Sequence, residues 1–199
     1  MLEEKQYWLK EQERNIIIGA LVKEGIIIFD PECKLLLKNG GFTDIYVNLR
    51  MMRSKPNVTR FLASAYSDIL RKLKIDRFVE VPDSVSILAG AITVKTDIPV
   101  VTVREEKSAR VTKGKIIGDL KMGETVVIID DVITDGASKM AVIETLVSLG
   151  VKIKAIVVLV DRDQGWREVI PQTDIDVLAG MSLSHIREYL KANPIKQKP

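Results

Sequence analysis

Two adjacent acids, Asp130 and Asp131, end the apolar run Val126-Val127-Ile128-Ile129 and lead into Val132-Ile133-Thr134-Asp135-Gly136-Ala137-Ser138. A carboxylate pair of this kind accepts hydrogen bonds from sugar hydroxyls or faces a magnesium ion. Thr134 and Ser138 add hydroxyl donors. Beyond them Met140, Ile143, Leu146 and Val147 recur at helical spacing, with Gly150 placed as a cap. A buried strand, a loop and a helix start gather free backbone N–H groups and a partial positive charge, a setting that suits phosphate. The chemistry indicated is that of a sugar phosphate. A nucleoside-triphosphate loop would end in Gly-Lys-Ser/Thr, and the chain has no such ending. The bland alternative is a buried strand ending in an acid-rich turn.

The elements that must position these residues alternate along the chain. Glu3 to Glu24 reads as a helix closed by Gly25, and Ile26 to Phe29 as a strand stopped by Asp30-Pro31. Leu35 to Lys38 and Ile45 to Leu49 read as short strands around Asn39-Gly40-Gly41. After Asn57, taken as an N-cap, Leu62, Ala65, Tyr66, Ile69, Leu70 and Leu73 share a helix face. Phe78 to Val81 is a strand, Ser84 to about Lys95 a helix, and Val100 to Val103 a strand. Arg104 to Lys115 is aperiodic, with two acids and five basic residues, and reads as a mobile loop. Ile153 to Val160 is a β-branched strand ending in Asp161-Arg162-Asp163; Ile175 to Ala179 and Ser182 to Lys191 are the last strand and helix.

Strands alternating with helices predict an α/β fold, a mostly parallel central sheet with helices on both faces. Such sheets bind ligands at the carboxyl ends of their strands. Those ends here carry Pro82-Asp83-Ser84, Arg104, Asp130-Asp131 and Asp161-Arg162, all on one rim.

At 199 residues the chain fits a single domain: an N-terminal helix and hood over 1–50, a core over 51–191 and a frayed tail over 192–199. Hydrophobic residues at 46% and charged residues at 29% are ordinary for a soluble globular protein, and a net charge of +3 makes no case for nucleic acid. One cysteine, Cys33, excludes an internal disulfide and suits a reducing cytoplasm. The first residues are too polar for a signal peptide, and no apolar run reaches the length of a membrane span. His185 is expected to face solvent, Trp8 and Trp166 to pack, and Arg71-Lys72-Lys74 to form a solvated helix face.

The pattern apolar-apolar-Asp-Asp-x-x-Thr-x-Gly-x-Ser resembles the phosphoribosyl-diphosphate (PRPP) motif of the type I phosphoribosyltransferases. Other segments, in order, resemble the orotate phosphoribosyltransferase branch: Leu37-Lys38-Asn39-Gly40 with Ile45 to Arg50, Pro99 to Arg104, and Leu159 to Gly165. The likeness runs from about Leu35 to Leu190. It implies the type I fold and transfer of the 5-phosphoribosyl group from PRPP to orotate, giving orotidine 5-phosphate and diphosphate, with Mg2+. It implies that Lys38 contacts phosphate or diphosphate, that Tyr46 and Val47 line the base pocket, and that Asp130 and Asp131 hold the ribose hydroxyls. Asp131 would also support magnesium-bound diphosphate through water. Val132, Ile133, Thr134, Asp135, Gly136, Ala137 and Ser138 would surround the 5-phosphate, Arg162 would face the orotate carboxylate, and Arg104 would bind diphosphate with the segment of Asp83 and Ser84. Members are typically homodimers whose catalytic loop reaches the neighbouring site, which would place loop 104–115 across an interface.

Departures from the branch cluster around diphosphate. After Arg104 the family reads approximately Arg-Lys-Glu-x-Lys-Asp-His/Tyr-Gly, whereas this chain has Glu105 at the second basic position, Ser108 at the lysine, Arg110 at the His/Tyr and Val111 at the glycine. Lys107 and Arg110 are the residues left to supply catalytic charge, together with Asp131. Asp83 stands in a loop where the family has glycine, with Glu80 near it, and Thr43-Asp44 replaces Ser-Pro. Two alternatives follow: a non-catalytic paralogue that binds PRPP or a nucleotide, and a transferase for another base.

Overall fold

A computed structural model describes residues 7–36, 41–104, 115–170 and 175–194. Helix α1 (Glu11–Lys23) is followed by strands β1 (Ile27–Phe29), β2 (Leu35–Leu36), β3 (Phe42–Thr43) and β4 (Ile45–Val47), then a 3-10 turn over Leu49–Ser54. Next come α2 (Pro56–Leu73), β5 (Arg77–Glu80), α3 (Ser86–Thr96), β6 (Val100–Val103), β7 (Ile116–Ile117) and β8 (Thr125–Ile133). The chain closes with α4 (Ala137–Ser148), β9 (Lys152–Asp161), α5 (Trp166–Val169), β10 (Asp176–Ser182) and α6 (Leu183–Ala192).

Six strands form the central sheet in the order β10-β9-β8-β5-β6-β7. All neighbours are parallel except β6 and β7, which run antiparallel. The chain leaves β5 toward β6 on one side and returns to β8 on the other, so strand order reverses between β5 and β8. A crevice opens at the carboxyl ends of strands at such a reversal. Glu80 and Ile129 are paired across it, just before Asp130.

Alternation along β8 explains why helices cover both faces. Val127 and Ile129 pack with α1, α2, α3 and α6 on one side. Val126 and Ile128 pack with α4 and Trp166 on the other. All four side chains are fully buried, each worth roughly 1.5–3 kcal/mol of transfer free energy. That burial fixes β8, and with it the acids at its end.

The N-terminal segment differs from its sequence expectation. Tyr7 forms a parallel bridge with Ala179 and Trp8 N–H donates to its carbonyl, so residues 7–10 extend the β10 edge before α1 begins at Glu11. Trp8 packs edge-on against Tyr66 and its indole N–H donates to Val158 O, an inside role. Helix α2 begins at Pro56 rather than after Asn57, because proline's fixed φ and missing N–H suit the first helical position. His185 is half-buried instead of solvent-facing: it packs edge-on against Tyr7 and its ring accepts the Ser182 N–H, closing a capping box on α6. Burial lowers its pKa. Asp44 and Arg187 form a two-pronged ion pair at 2.8 Å that ties the β3–β4 segment to α6. Among the described residues, no helix is long and apolar enough to cross a membrane.

Candidate active site

A cavity of about 1170 Å³ opens at the carboxyl ends of β5 and β8. Asp130, Asp131, Val132, Thr134, Asp135 and Ser138 line one wall, Val81, Pro82 and Ser84 another, and Arg162 and Gln164 a third. Tyr46, Val47, Asn48, Arg50 and Met51 close over it from β4 and the 3-10 turn. Met52 beneath them is core and Arg53 donates to the Asp83 carbonyl, so this stretch is a hood anchored to the β5–α3 loop.

Helix capping organises the phosphate-sized loop. Gly136 takes φ of 82° as the residue before α4, and a Cβ there would lie 3.0 Å from Ile170. The Asp135 carboxylate accepts the Ala137 N–H at 3.1 Å and the Thr134 hydroxyl at 3.3 Å. Asp135 takes the first amide of α4, and the first turn itself holds no acid. Ile133 instead belongs to the core; what it gives this rim is its carbonyl, which accepts the Arg162 N–H at 3.0 Å. Gly136 and Ala137 likewise shape the loop without lining the cavity.

The two acids sit in different surroundings. Asp130 is 2% exposed, its Oδ1 accepts the Asp131 N–H at 2.8 Å, and its carboxylate pairs with the Lys139 ammonium. Burial, and then the neighbouring Asp130 charge, push the Asp131 carboxyl up to about 7. Asp130 is thus the acid with a fixed countercharge, and Asp131 the one that gives and takes a proton near neutrality.

Sequence reasoning missed Lys139. Its signal was a charged residue in an apolar stripe: the buried positions of α4 are Lys139, Val142, Ile143 and Leu146, spaced i, i+3, i+4, i+7. The stripe expected from Met140 and Val147 is rotated by one residue, and Val147 is 60% exposed.

Asp161 and Asp163 flank Arg162 in the chain and could each pair with it. Arg167 takes both acids, at 2.9 and 3.5 Å. Among the described residues the Arg162 guanidinium has no ion-pair partner, and it lines the cavity. A guanidinium without an ion-pair partner among the described residues can take a planar carboxylate in two-pronged fashion.

Asp83 and Arg104 lie apart from this group. They line a neighbouring cavity of about 850 Å³ that shares Val81, Pro82 and Ser138 with the first. Asp83 holds φ of 67°, the left-handed conformation that glycine adopts freely, so it keeps a glycine-like turn while adding a charge. Glu80 does not add another to the cavity wall: it is buried within the sheet, where Thr102 Oγ1 donates to it at 2.5 Å. The Arg104 N–H donates to Lys115 O at 2.7 Å, closing the base of the segment between them. Lys38, Lys107 and Arg110 lie outside the described residues.

Among the described residues no three His, Cys, Asp or Glu side chains converge on a metal site. The donor set fits a magnesium ion that arrives with substrate phosphates, since such ions keep several waters and use one or two protein carboxylates.

Known proteins share this fold. The family profile described as a phosphoribosyl transferase domain matches residues 49–185. A protein named orotate phosphoribosyltransferase from Natronomonas pharaonis is 33% identical over 143 residues, 71% of this chain and 80% of that one. One of the same name from Thermococcus gammatolerans is 28% identical over 179 residues, 89% of this chain and 93% of that one. The solved structure of Leishmania donovani UMP synthase superposes with a TM-score of 0.77 at 33% identity, covering 92% of this chain but 39% of that longer one.

Proposed function

Because the chain belongs to the phosphoribosyltransferase family, among the orotate phosphoribosyltransferases, we propose that its cavity joins PRPP to orotate, giving orotidine 5-phosphate and diphosphate in pyrimidine nucleotide synthesis. It is a pentosyltransferase. The observation that carries the base assignment is Arg162, without an ion-pair partner among the described residues, beside the Asp130-Asp131 wall in one cavity. A neutral purine would leave that cation uncompensated, whereas orotate brings a carboxylate to it.

The chain's own groups suit the chemistry. Displacement of diphosphate from ribose C1 passes through an oxocarbenium-like state, which is reached when nucleophile and sugar are held in line and leaving charge is neutralised. Asp130 and Asp131 accept the ribose hydroxyls and set the sugar's orientation. The loop from Thr134 to Ser138 and the start of α4 hold the 5-phosphate. Arg162 anchors the orotate carboxylate, and Tyr46 and Val47 cover the ring. Asp131 would hold a magnesium ion on the diphosphate side, and the ion would supply positive charge to the leaving group. Arg104, Lys38, Lys107 and Arg110 supply the remaining positive charge on the diphosphate side. We assign the working enzyme to the cytoplasm as a homodimer in which loop 104–115 serves the neighbouring site.

The test is base selectivity. Arg162→Met should raise the KM for orotate at least tenfold and leave the KM for PRPP within about threefold, since one charge-assisted pair is removed from one substrate only. An unchanged orotate KM would remove Arg162 from the base site.

A further inference from the structure

Lysine is seldom buried unless paired, and a cation in the first turn of a helix opposes the helix dipole. Lys139 accepts both penalties. It is the third residue of α4, is 5% exposed, and stands in a first turn that holds no acid. Helical side chains lean toward the N-terminus of their helix, here toward the end of β8 and the loop before α4. The ammonium pairs there with Asp130 and donates to Ser138 Oγ at 3.2 Å. All three residues line the cavity. An ammonium has three donors, so these two contacts leave one more.

Charge makes the placement meaningful. The segment 130–139 contains three acids, Asp130, Asp131 and Asp135, and one base, Lys139. A phosphate entering that loop meets backbone amides but also net negative side chains. Only Lys139 brings a full positive charge from the loop's own helix.

We infer that Lys139 is a phosphate-binding residue: its ammonium joins Asp130, the acid on the ribose side, to the Ser138 end of the loop and gives the sugar's 5-phosphate a fixed cation. This rests on the sugar-phosphate reading of the cavity. The buried stripe of α4 explains how the charge is held, because Val142, Ile143 and Leu146 anchor the same helix face in the core.

Calorimetric titration of orotidine 5-phosphate and of orotidine into the wild type, Lys139→Met and Lys139→Arg tests it. Lys139→Met should weaken the nucleotide about tenfold or more relative to the nucleoside, while Lys139→Arg stays within about threefold of wild type. An equal loss for both ligands would mean a structural role and overturn the inference, as would no loss. If the wild type fails to bind the nucleotide, the reading of the cavity falls first and the inference with it. Should Lys139→Met fail to fold, the wild type still decides: the Lys139 Nζ resonance must move when inorganic phosphate is added, and a stationary resonance overturns the assignment.

Discussion

The hydroxyl of Tyr66, fully buried on α2, donates to the backbone carbonyl of Asp130 at 2.8 Å. A helix on one face of the sheet thereby fixes the strand residue that carries the first acid. Burial, then the charges of Asp131 and Asp130, push the Tyr66 hydroxyl well above its usual range, so it stays a neutral donor. Tyr66→Phe strips a buried carbonyl of its partner at a cost of about 1–2 kcal/mol, which calorimetry would read as a melting temperature lower by about 2–8 °C. An unchanged melting temperature would show that the bond contributes nothing.

Ligand affinity should follow the protonation of Asp131. With its carboxyl raised to about 7 by burial and by Asp130, about half of the free protein holds a proton there at pH 7, while ribose hydroxyls donate to the ionised form. Binding of ribose 5-phosphate should therefore tighten as pH rises through about 7 and release protons. Titrations in two buffers of different ionisation enthalpy measure that release, and a count of zero at pH 6.5 (roughly half a unit below the midpoint) would contradict it. The same shift acts on folding. The native state binds this proton more tightly than the unfolded chain, so its stabilising effect is full below the unfolded carboxyl range near 4 and lost as pH rises toward 7.

Asp44 and Arg187 give the opposite sign. The Arg187 hydrogen bond holds the Asp44 carboxyl below its usual range, so this pair stabilises above the unfolded carboxylate range and is lost as pH falls through the depressed value. Arg187 is 41% exposed along its side chain, and screening limits the pair to about 0.5 kcal/mol. A double-mutant cycle of Asp44→Asn and Arg187→Met at pH 7 should return a coupling of that size, shrinking below pH 4; a coupling that grows on acidification would refute the sign.

Asp83 combines a glycine-like backbone with a carboxylate side chain. Asp83→Gly should leave the turn intact, stabilise slightly or be neutral, and lower the KM for PRPP about threefold or more by removing like charge from the diphosphate side. A rise in that KM would mean that Asp83 itself serves the substrate.

Much of this was legible in the sequence because burial writes itself plainly into parallel strands. The run Val126 to Ile129 announced a strand buried on both faces, and Asp130, Asp131, Val132, Thr134, Asp135 and Ser138 after it line the cavity. Short or weakly patterned pieces were not legible: β7 has two residues, α5 has four, and the edge bridge at Tyr7 depends on a partner 172 positions away at Ala179. Lys139 was hidden by its type, since a charged side chain is read as solvated until an acid from another element is seen beside it. Arg162 was ambiguous for the converse reason: three nearby acids and bases could pair in more than one way, and only the placement of α5 gives Asp161 and Asp163 to Arg167.

Turnover of orotate is read from the loss of orotate absorbance after adding PRPP and magnesium to the purified protein, with Lys38→Ala and Asp131→Asn as controls. Orotate should be lost in a magnesium-dependent way with matching formation of orotidine 5-phosphate and diphosphate, at a rate reduced at least about a hundredfold in both controls. Binding of PRPP with no consumption of orotate would contradict it and leave a protein that keeps the sugar-phosphate site without the transfer.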